Sequence, residues 1–293
     1  MAQLQLRELT PAFGTEITGL DPIATLADAD ACRMLQGLFD TRGVLVFRDL
    51  DVDQVTQANL VRMLIRLGPL AAGETGSAKP TGEPFYVSNK EENGGAPFGR
   101  LLFHSDMMWS EYTFQVLSLY AIEVEPPVAP TVFASALDAW ATLPDELRAK
   151  AERLQAVQGH NELERARAAN DPDVLVTTFD NIVGRTTPVG YRHPRIDRNV
   201  LYVSQQMTSA IEGLAPAESE EVLEEFFAHL YRPAALYEHD WRTHDLVAWD
   251  NISVQHARPN VTVEGPVRTL RKVFAPLPPR SASPSRPKFA TAG

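Results

Sequence analysis

At 293 residues and 44% hydrophobic, the chain can bury a substantial core, as one large domain or two small ones. A net charge of −11 with no Lys/Arg block argues against a nucleic-acid partner, and no apolar stretch approaches bilayer length. The opening MAQLQLRELT lacks a charged start followed by an apolar run, so a cytoplasmic protein with no membrane partner is expected; the one cysteine, Cys32, excludes an internal disulfide framework and any Cys-rich metal site.

Residues Leu4 to Asp21 read as short strands with turns. Ala31, Met34, Leu35 and Leu38 recur at helical spacing, which predicts an amphipathic helix over Asp28–Phe39 and makes Cys32 a small buried hydrophobe. A buried strand over Gly43–Phe47 follows, then a second helix over Asp51–Leu67 that stops at Gly68-Pro69. Between Ala71 and Gly99 apolar periodicity fails and Gly, Pro, Ser, Glu and Asn dominate, the composition of a lid, a binding loop or a disordered connection. Strands are expected at Leu101–Phe103, Phe114–Ala121 and Thr131–Ala134, helices at Leu143–Val157 and Ala217–Leu230, and further strands at Leu201–Val203, Leu246–Trp249 and Arg268–Phe274. The closing PLPPRSASPSRPKFATAG has the Pro/Ser composition of a disordered tail. No internal repeat divides the chain.

The chemistry is concentrated in Phe103-His104-Ser105-Asp106. Residues i and i+2 of an extended strand project to one side, so His104 and Asp106 can converge on one ion while Ser105 points away. Two imidazoles and a carboxylate form the facial set that holds non-heme Fe(II) with open positions, and His256 is the candidate third ligand. His160, His193, His229, His239 and His244 read as surface or capping residues.

Around these anchors the chain resembles the taurine dioxygenase-like (TauD/TfdA) family of Fe(II)/2-oxoglutarate-dependent oxygenases. The likeness runs through Phe13–Leu20, Gly43–Asp49, Leu67–Leu70, His104-Ser105-Asp106, Leu201–Val203, Gly213–Pro216, Trp249-Asp250-Asn251 and His256, in the family's order. It implies a mainly β fold with flanking helices, a double-stranded β-helix (cupin-like jelly roll), over residues 1–278, with 279–293 as the tail. His104, Asp106 and His256 would ligate Fe(II). Arg268, about a dozen residues after His256, would hold the distal carboxylate of 2-oxoglutarate with its planar fork, assisted by Thr131, although the family's Gly-Gly-Asp-Thr is here Val128-Ala129-Pro130-Thr131. Where the taurine enzymes carry a second Arg to read the substrate's anion, this chain has Lys272 with Arg271 beside it, so taurine-type sulfonate recognition is not expected. Met107, next to the Asp ligand, would line the substrate side, with Met108 and Trp109 continuing an adaptable apolar wall.

The resemblance therefore implies a dioxygenase that consumes 2-oxoglutarate and O2, releases succinate and CO2, and oxidises a small molecule, with hydroxylation the expected outcome and desaturation, ring formation or oxidative cleavage left open. Asp106 in the ligand set speaks against the halogenase variant of this chemistry. The rival reading is a non-catalytic jelly-roll sensor of metal or 2-oxoglutarate; a drifted binding protein need not keep three ligands and Arg268 together. The sequence leaves self-association open. The loop Ala71–Gly99 runs into the metal strand and is expected to order over the site when substrate binds.

Overall fold

The computed structural model describes residues 4–77, 79, 81–179, 184–278 and 287–293. The chain begins with β1 (Gln5–Glu8) and β2 (Thr15–Thr18), then α1 (Pro22–Ala27), α2 (Ala29–Arg42), β3 (Val44–Phe47) and α3 (Gln54–Leu64). Next come β4 (Phe85–Ser88), β5 (Gly99–His104), β6 (Val116–Val124) and β7 (Thr131–Ser135). An insertion follows: α4 (Ala136–Ala141), α5 (Asp145–Ala151), β8 (Gln155–Gln158), α6 (Glu162–Ala168), β9 (Leu175–Thr178) and β10 (Arg185–Pro188). It continues with β11 (Gly190–Arg192), β12 (Asn199–Leu201), β13 (Thr208–Ile211) and α7 (Pro216–Leu230). The chain closes with β14 (Leu236–His239), β15 (Leu246–Asp250), β16 (Val254–Val261), β17 (Arg268–Ala275) and β18 (Lys288–Thr291).

Two sheets carry the architecture, a seven-stranded one in the order β1-β2-β3-β15-β6-β17-β4 and a four-stranded one in the order β14-β7-β16-β5. Side chains from both, among them Leu117, Leu119, Phe133, Trp249 and Leu270, share one apolar core. The outer face of the larger sheet packs under α2 and α3 through Leu35, Phe39, Leu45, Phe47, Leu60 and Leu64. That double coverage explains why β3 and β15 are buried at every position instead of alternating. The Asp28 carboxylate accepts from the N–H groups of Asp30 and Ala31 to start α2, and Gly43, at φ 69°, ends it.

Several elements differ from the sequence expectation. The helix expected over Leu143–Val157 ends at Ala151, and Gln155–Gln158 is instead a strand between β10 and β13, because tertiary pairing outweighs the local period. The strand expected at Leu201–Val203 lies earlier, at Asn199–Leu201. The segment expected as one long loop contains β4, which pairs with β17 and brings Ser88 beside Thr269. The tail divides: residues 279–286 lie outside the described residues, whereas Lys288–Thr291 pairs with β9, contrary to a disordered tail throughout. Its alternating Phe289 and exposed neighbours suit an edge strand despite the flanking Pro/Ser composition. Among the described residues no helix is long and apolar enough to cross a membrane.

Candidate active site

Residues on β5 and β16 bring two of the three expected ligands together. The antiparallel register sets His256 directly opposite His104, so both imidazoles rise from one face with centroids 4.1 Å apart. Asp106 does not sit on the strand as expected: β5 ends at His104, and Asp106 lies in the turn just beyond, with Met107 at φ 63°. Its carboxylate still turns back, Oδ1 lying 3.3 Å from His104 Nε2, and one donor atom from each of the three residues falls within 4.8 Å of the others.

Asn251 secures that turn. Its Oδ1 accepts from the Asp106 N–H at 2.9 Å, and its Nδ2 donates to the carbonyls of Asp106 at 2.8 Å and Phe114 at 3.1 Å. The neighbouring Asp250 is buried between His193 and Arg195 and caps the turn 250–253 through the N–H groups of Ile252 and Ser253. Within Trp249-Asp250-Asn251, Asn251 thus holds the Asp106 turn and Asp250 holds the turn that carries Asn251.

The donor set fits a divalent transition ion. His104 Nδ1 lies 2.8 Å from the Leu102 carbonyl, which fixes the proton there and leaves the Nε2 lone pair free to ligate. His256 Nδ1 is buried with no partner. Burial alone would raise the Asp106 carboxyl, but the Lys272 ammonium paired to its other oxygen, together with the two imidazoles, holds it well below the usual carboxylate range. Burial, then the neighbouring His104, pushes His256 well below an ordinary histidine, toward the neutral form that binds metal.

Arg268 enters the same cavity from β17. Its guanidinium is buried, donating from Nε to the Ala129 carbonyl at 3.1 Å and from Nη2 to Thr131 Oγ1 at 3.0 Å, and among the described residues it has no carboxylate partner. Thr131 Oγ1 also accepts from Trp241 Nε1 at 3.1 Å, which leaves its hydroxyl proton for a ligand. Asn89 holds the Arg268 backbone by accepting from its N–H at 3.0 Å. Burial, and then Arg258 nearby, lower the Arg268 pKa well below that of a free guanidinium; burial alone lowers Arg258 to about 10. Two buried guanidinium groups that repel each other, with no acid paired to either among the described residues, are chemically suited to an incoming carboxylate.

Arg258 was not singled out in the sequence. The available signal was period-two spacing: it lies two residues after His256 on the same strand. Its Nη1 and Nη2 clasp the carbonyls of Ala96, Phe98 and Gly99, each at 2.8 Å. Gly99 itself, at φ 75°, begins β5 where a Cβ would stand 3.0 Å from the Asp173 carbonyl, so only glycine lets β5 approach the β9 segment this closely. Arg271 points to the opposite face, where its Nε donates to Gln57 Oε1 at 2.7 Å and Nη2 to the Val52 carbonyl at 2.6 Å. It is therefore a structural tie to α3, and Lys272 is the residue of this pair that reaches the cavity.

The cavity is large, about 1480 Å³, and its wall includes His104, Asp106, His256, Thr131, Arg268 and Lys272. Met107 and Trp109 line it too, as expected, whereas Met108 is fully buried core. Gly73–Ser77 and Thr81–Glu83 of the expected lid also border it. Three of the histidines read as surface or capping residues are not at the surface, although His193 Nδ1 does cap a turn by accepting from the N–H groups of Arg195 and Ile196. His193 and His239 are fully buried beside Asp250 and Asp245, and His160 stands in the cavity wall with Nδ1 2.9 Å from Glu162. The folding of the insertion against the sheets places His160 and His193, and the pairing of β14 with β7 places His239; neither is visible in a local pattern.

Comparison with known proteins identifies the family. The model of the family described as taurine catabolism dioxygenase TauD, TfdA family matches residues 5–274. The (S)-phenoxypropionate/alpha-ketoglutarate-dioxygenase of Sphingobium herbicidovorans is 28% identical over 257 residues, covering 85% of this chain and 86% of that protein. The alpha-ketoglutarate-dependent 2,4-dichlorophenoxyacetate dioxygenase of a Burkholderia species is 26% identical over 260 residues, with the same 85% and 86% coverage. Pentalenolactone F synthase of Streptomyces avermitilis is 26% identical over 272 residues, covering 84% of this chain and 86% of that protein. Among solved structures, AAD-2 in complex with Mn(II) and N-oxalylglycine shares the fold at a TM-score of 0.72 and 23% identity, covering 93% of this chain and 96% of that one. The chain belongs to the taurine catabolism dioxygenase TauD, TfdA family: it is a jelly-roll dioxygenase that uses Fe(II), 2-oxoglutarate and O2 to oxidise a small molecule.

Proposed function

We propose that His104, Asp106 and His256 are the iron ligands, that Arg268 and Thr131 bind the distal carboxylate of 2-oxoglutarate, and that the reaction is hydroxylation of a small organic acid. The observation that carries this reading is a three-ligand cluster and a buried, acid-free guanidinium opening into one cavity. Bound Fe(II) supplies the centre at which O2 is activated as 2-oxoglutarate is converted to succinate and CO2. The chain's own part is placement. Leu102 and Asn251 fix the ligands, Arg268 and Thr131 fix the co-substrate, and Met107, Trp109 and Phe114 give the cavity an apolar lining that keeps water from the reacting carbon.

An anionic substrate follows from charge. Five cations, Arg62, Lys79, Arg258, Arg268 and Lys272, line the cavity against three carboxylates, Glu74, Glu83 and Asp106, and the two charges of iron would balance the two of 2-oxoglutarate. The positive charge left over favours a carboxylate or comparable anion, with Lys272 and Met107 on its side of the iron. The compounds for which two relatives are named, (S)-phenoxypropionate and 2,4-dichlorophenoxyacetate, are of this kind. A reducing, cytoplasmic setting suits ferrous iron and a chain with one half-buried cysteine.

Anaerobic titration with Fe(II) and 2-oxoglutarate, followed by a screen of carboxylic acids for O2-dependent succinate release, tests the proposal. Alanine at His104, Asp106 or His256 should abolish turnover. Arg268→Ala should weaken 2-oxoglutarate about ten- to a hundredfold while leaving iron affinity nearly unchanged, the loss of a charge-assisted bond worth about 1.5–3 kcal/mol. Full succinate production by a folded ligand variant at unchanged iron loading would refute it.

A further inference from the structure

We propose that the C-terminal strand β18 forms the specificity wall of the substrate cavity, with Phe289 as the residue that selects a substrate with a planar apolar body. This rests on the cavity being the substrate site. The family match stops at residue 274, yet Pro276, Leu277, Pro278, Pro287 and Phe289 all border the cavity that holds the ligand cluster. The part of the wall they form therefore lies beyond the family-wide pattern, where relatives that share the same iron chemistry are free to differ.

The strand's register explains its inward face. β18 runs antiparallel to β9 with Phe289 opposite Thr177, and both residues line the cavity, while Lys288 and Ala290 are exposed. Two residues past Thr177, on the same side, Phe179 also borders the cavity; its ring lies 5.7 Å from Trp109 and 5.4 Å from His160. Phe289 is half-buried and belongs to none of the apolar core clusters of the described residues. Its ring thus serves no core of the fold and faces the space a ligand would occupy.

The wall is tied to the metal strand, so its distance from the iron is set by the fold. Ala292 donates to the Val174 carbonyl at 3.0 Å and packs with Leu102 of β5, and Arg100 of β5 donates to the Asp173 carbonyl at 2.8 Å. A flat apolar group held among Trp109, Phe179 and Phe289 would place the rest of the molecule against the ligand cluster.

The test uses Mn(II)- and 2-oxoglutarate-loaded protein and the fluorescent aromatic sulfonate 8-anilinonaphthalene-1-sulfonate, with racemic 2-phenoxypropionate as competitor. The wild type should bind the dye in competition with the acid, and Phe289→Ala should weaken both ligands about tenfold, the scale of a lost half-buried ring contact. Phe289→Leu should lie between them, and a chain ending at Pro278 should lose at least as much as Phe289→Ala. Mn(II) and 2-oxoglutarate affinities are measured on every protein. Failure of the wild type to bind those two overturns the functional reading itself. Normal binding of both, with no dye binding by the wild type or with equal dye and acid affinities in the wild type, Phe289→Ala and the shortened chain, overturns the specificity wall alone.

Discussion

Replacing Asn251 by alanine should loosen the metal turn from a distance. The side chain is fully buried and makes three hydrogen bonds, two of them to the backbone of Asp106 and one to Phe114. Alanine leaves one N–H and two carbonyls without partners in a dry interior. At about 1–3 kcal/mol per orphaned group, with incomplete additivity, the loss should total about 3 kcal/mol. For a chain of this size that corresponds to a fall in Tm of about 5–10 °C. Because the freed turn carries the proposed ligand Asp106, Mn(II) affinity should fall about ten- to a hundredfold as well, as when other supporting partners of metal ligands are removed. Calorimetric unfolding of the apoprotein measures the first effect and anaerobic Mn(II) titration the second. An unchanged Tm together with unchanged Mn(II) affinity would refute the assignment, and a lowered Tm with intact affinity would show that Asn251 supports the fold without placing Asp106.

Arg258→Lys keeps a charge but cannot clasp three carbonyls, so amide exchange across Ala96–Gly99 should quicken and stability should drop by about 2–3 kcal/mol; unchanged exchange would deny the clasp. Glu16 is bonded by Arg7 and Arg48 and is lowered to about 2, against some resistance from burial. Its folded pKa lies below its unfolded one, so its contribution of about 1 kcal/mol is complete above about pH 4.5 and is lost as pH falls toward 2; the Tm gap between wild type and Glu16→Gln should close over that window, and a gap constant from pH 7 to 2.5 would contradict it. We expect Gly73–Ser77 to act as part of a lid, since it borders the cavity and is held by Gln54 Nε2 donating to the Thr75 carbonyl at 2.8 Å. Exchange there should slow when Mn(II), 2-oxoglutarate and 2-phenoxypropionate are all present, and identical exchange with and without the acid would rule out closure.

The sequence by itself pointed to the candidate chemistry, because a ligand set of this kind is written in residue types at short spacing. His104 and Asp106 are two positions apart, and Arg268 and Lys272 share one face of a strand whose period of two needs no tertiary knowledge. The helices under the larger sheet were legible for the same reason, since α2 and α3 each bury one face at a period of 3.6. The tertiary structure alone decided which distant groups share a cavity. The register of β16 against β5 put His256 opposite His104, Asn251 was brought 145 residues along the chain to hold Asp106, and Arg258, two positions from a proposed ligand, gained its backbone partners only once Ala96–Gly99 folded against it. The split of Leu143–Val157 into helix and strand, and the return of Phe289 to the cavity, were likewise invisible locally. A strand's partner is fixed by long-range pairing and burial, and Pro/Ser-rich composition reports only what a segment can bury alone, not what a waiting edge such as β9 allows it to pair with.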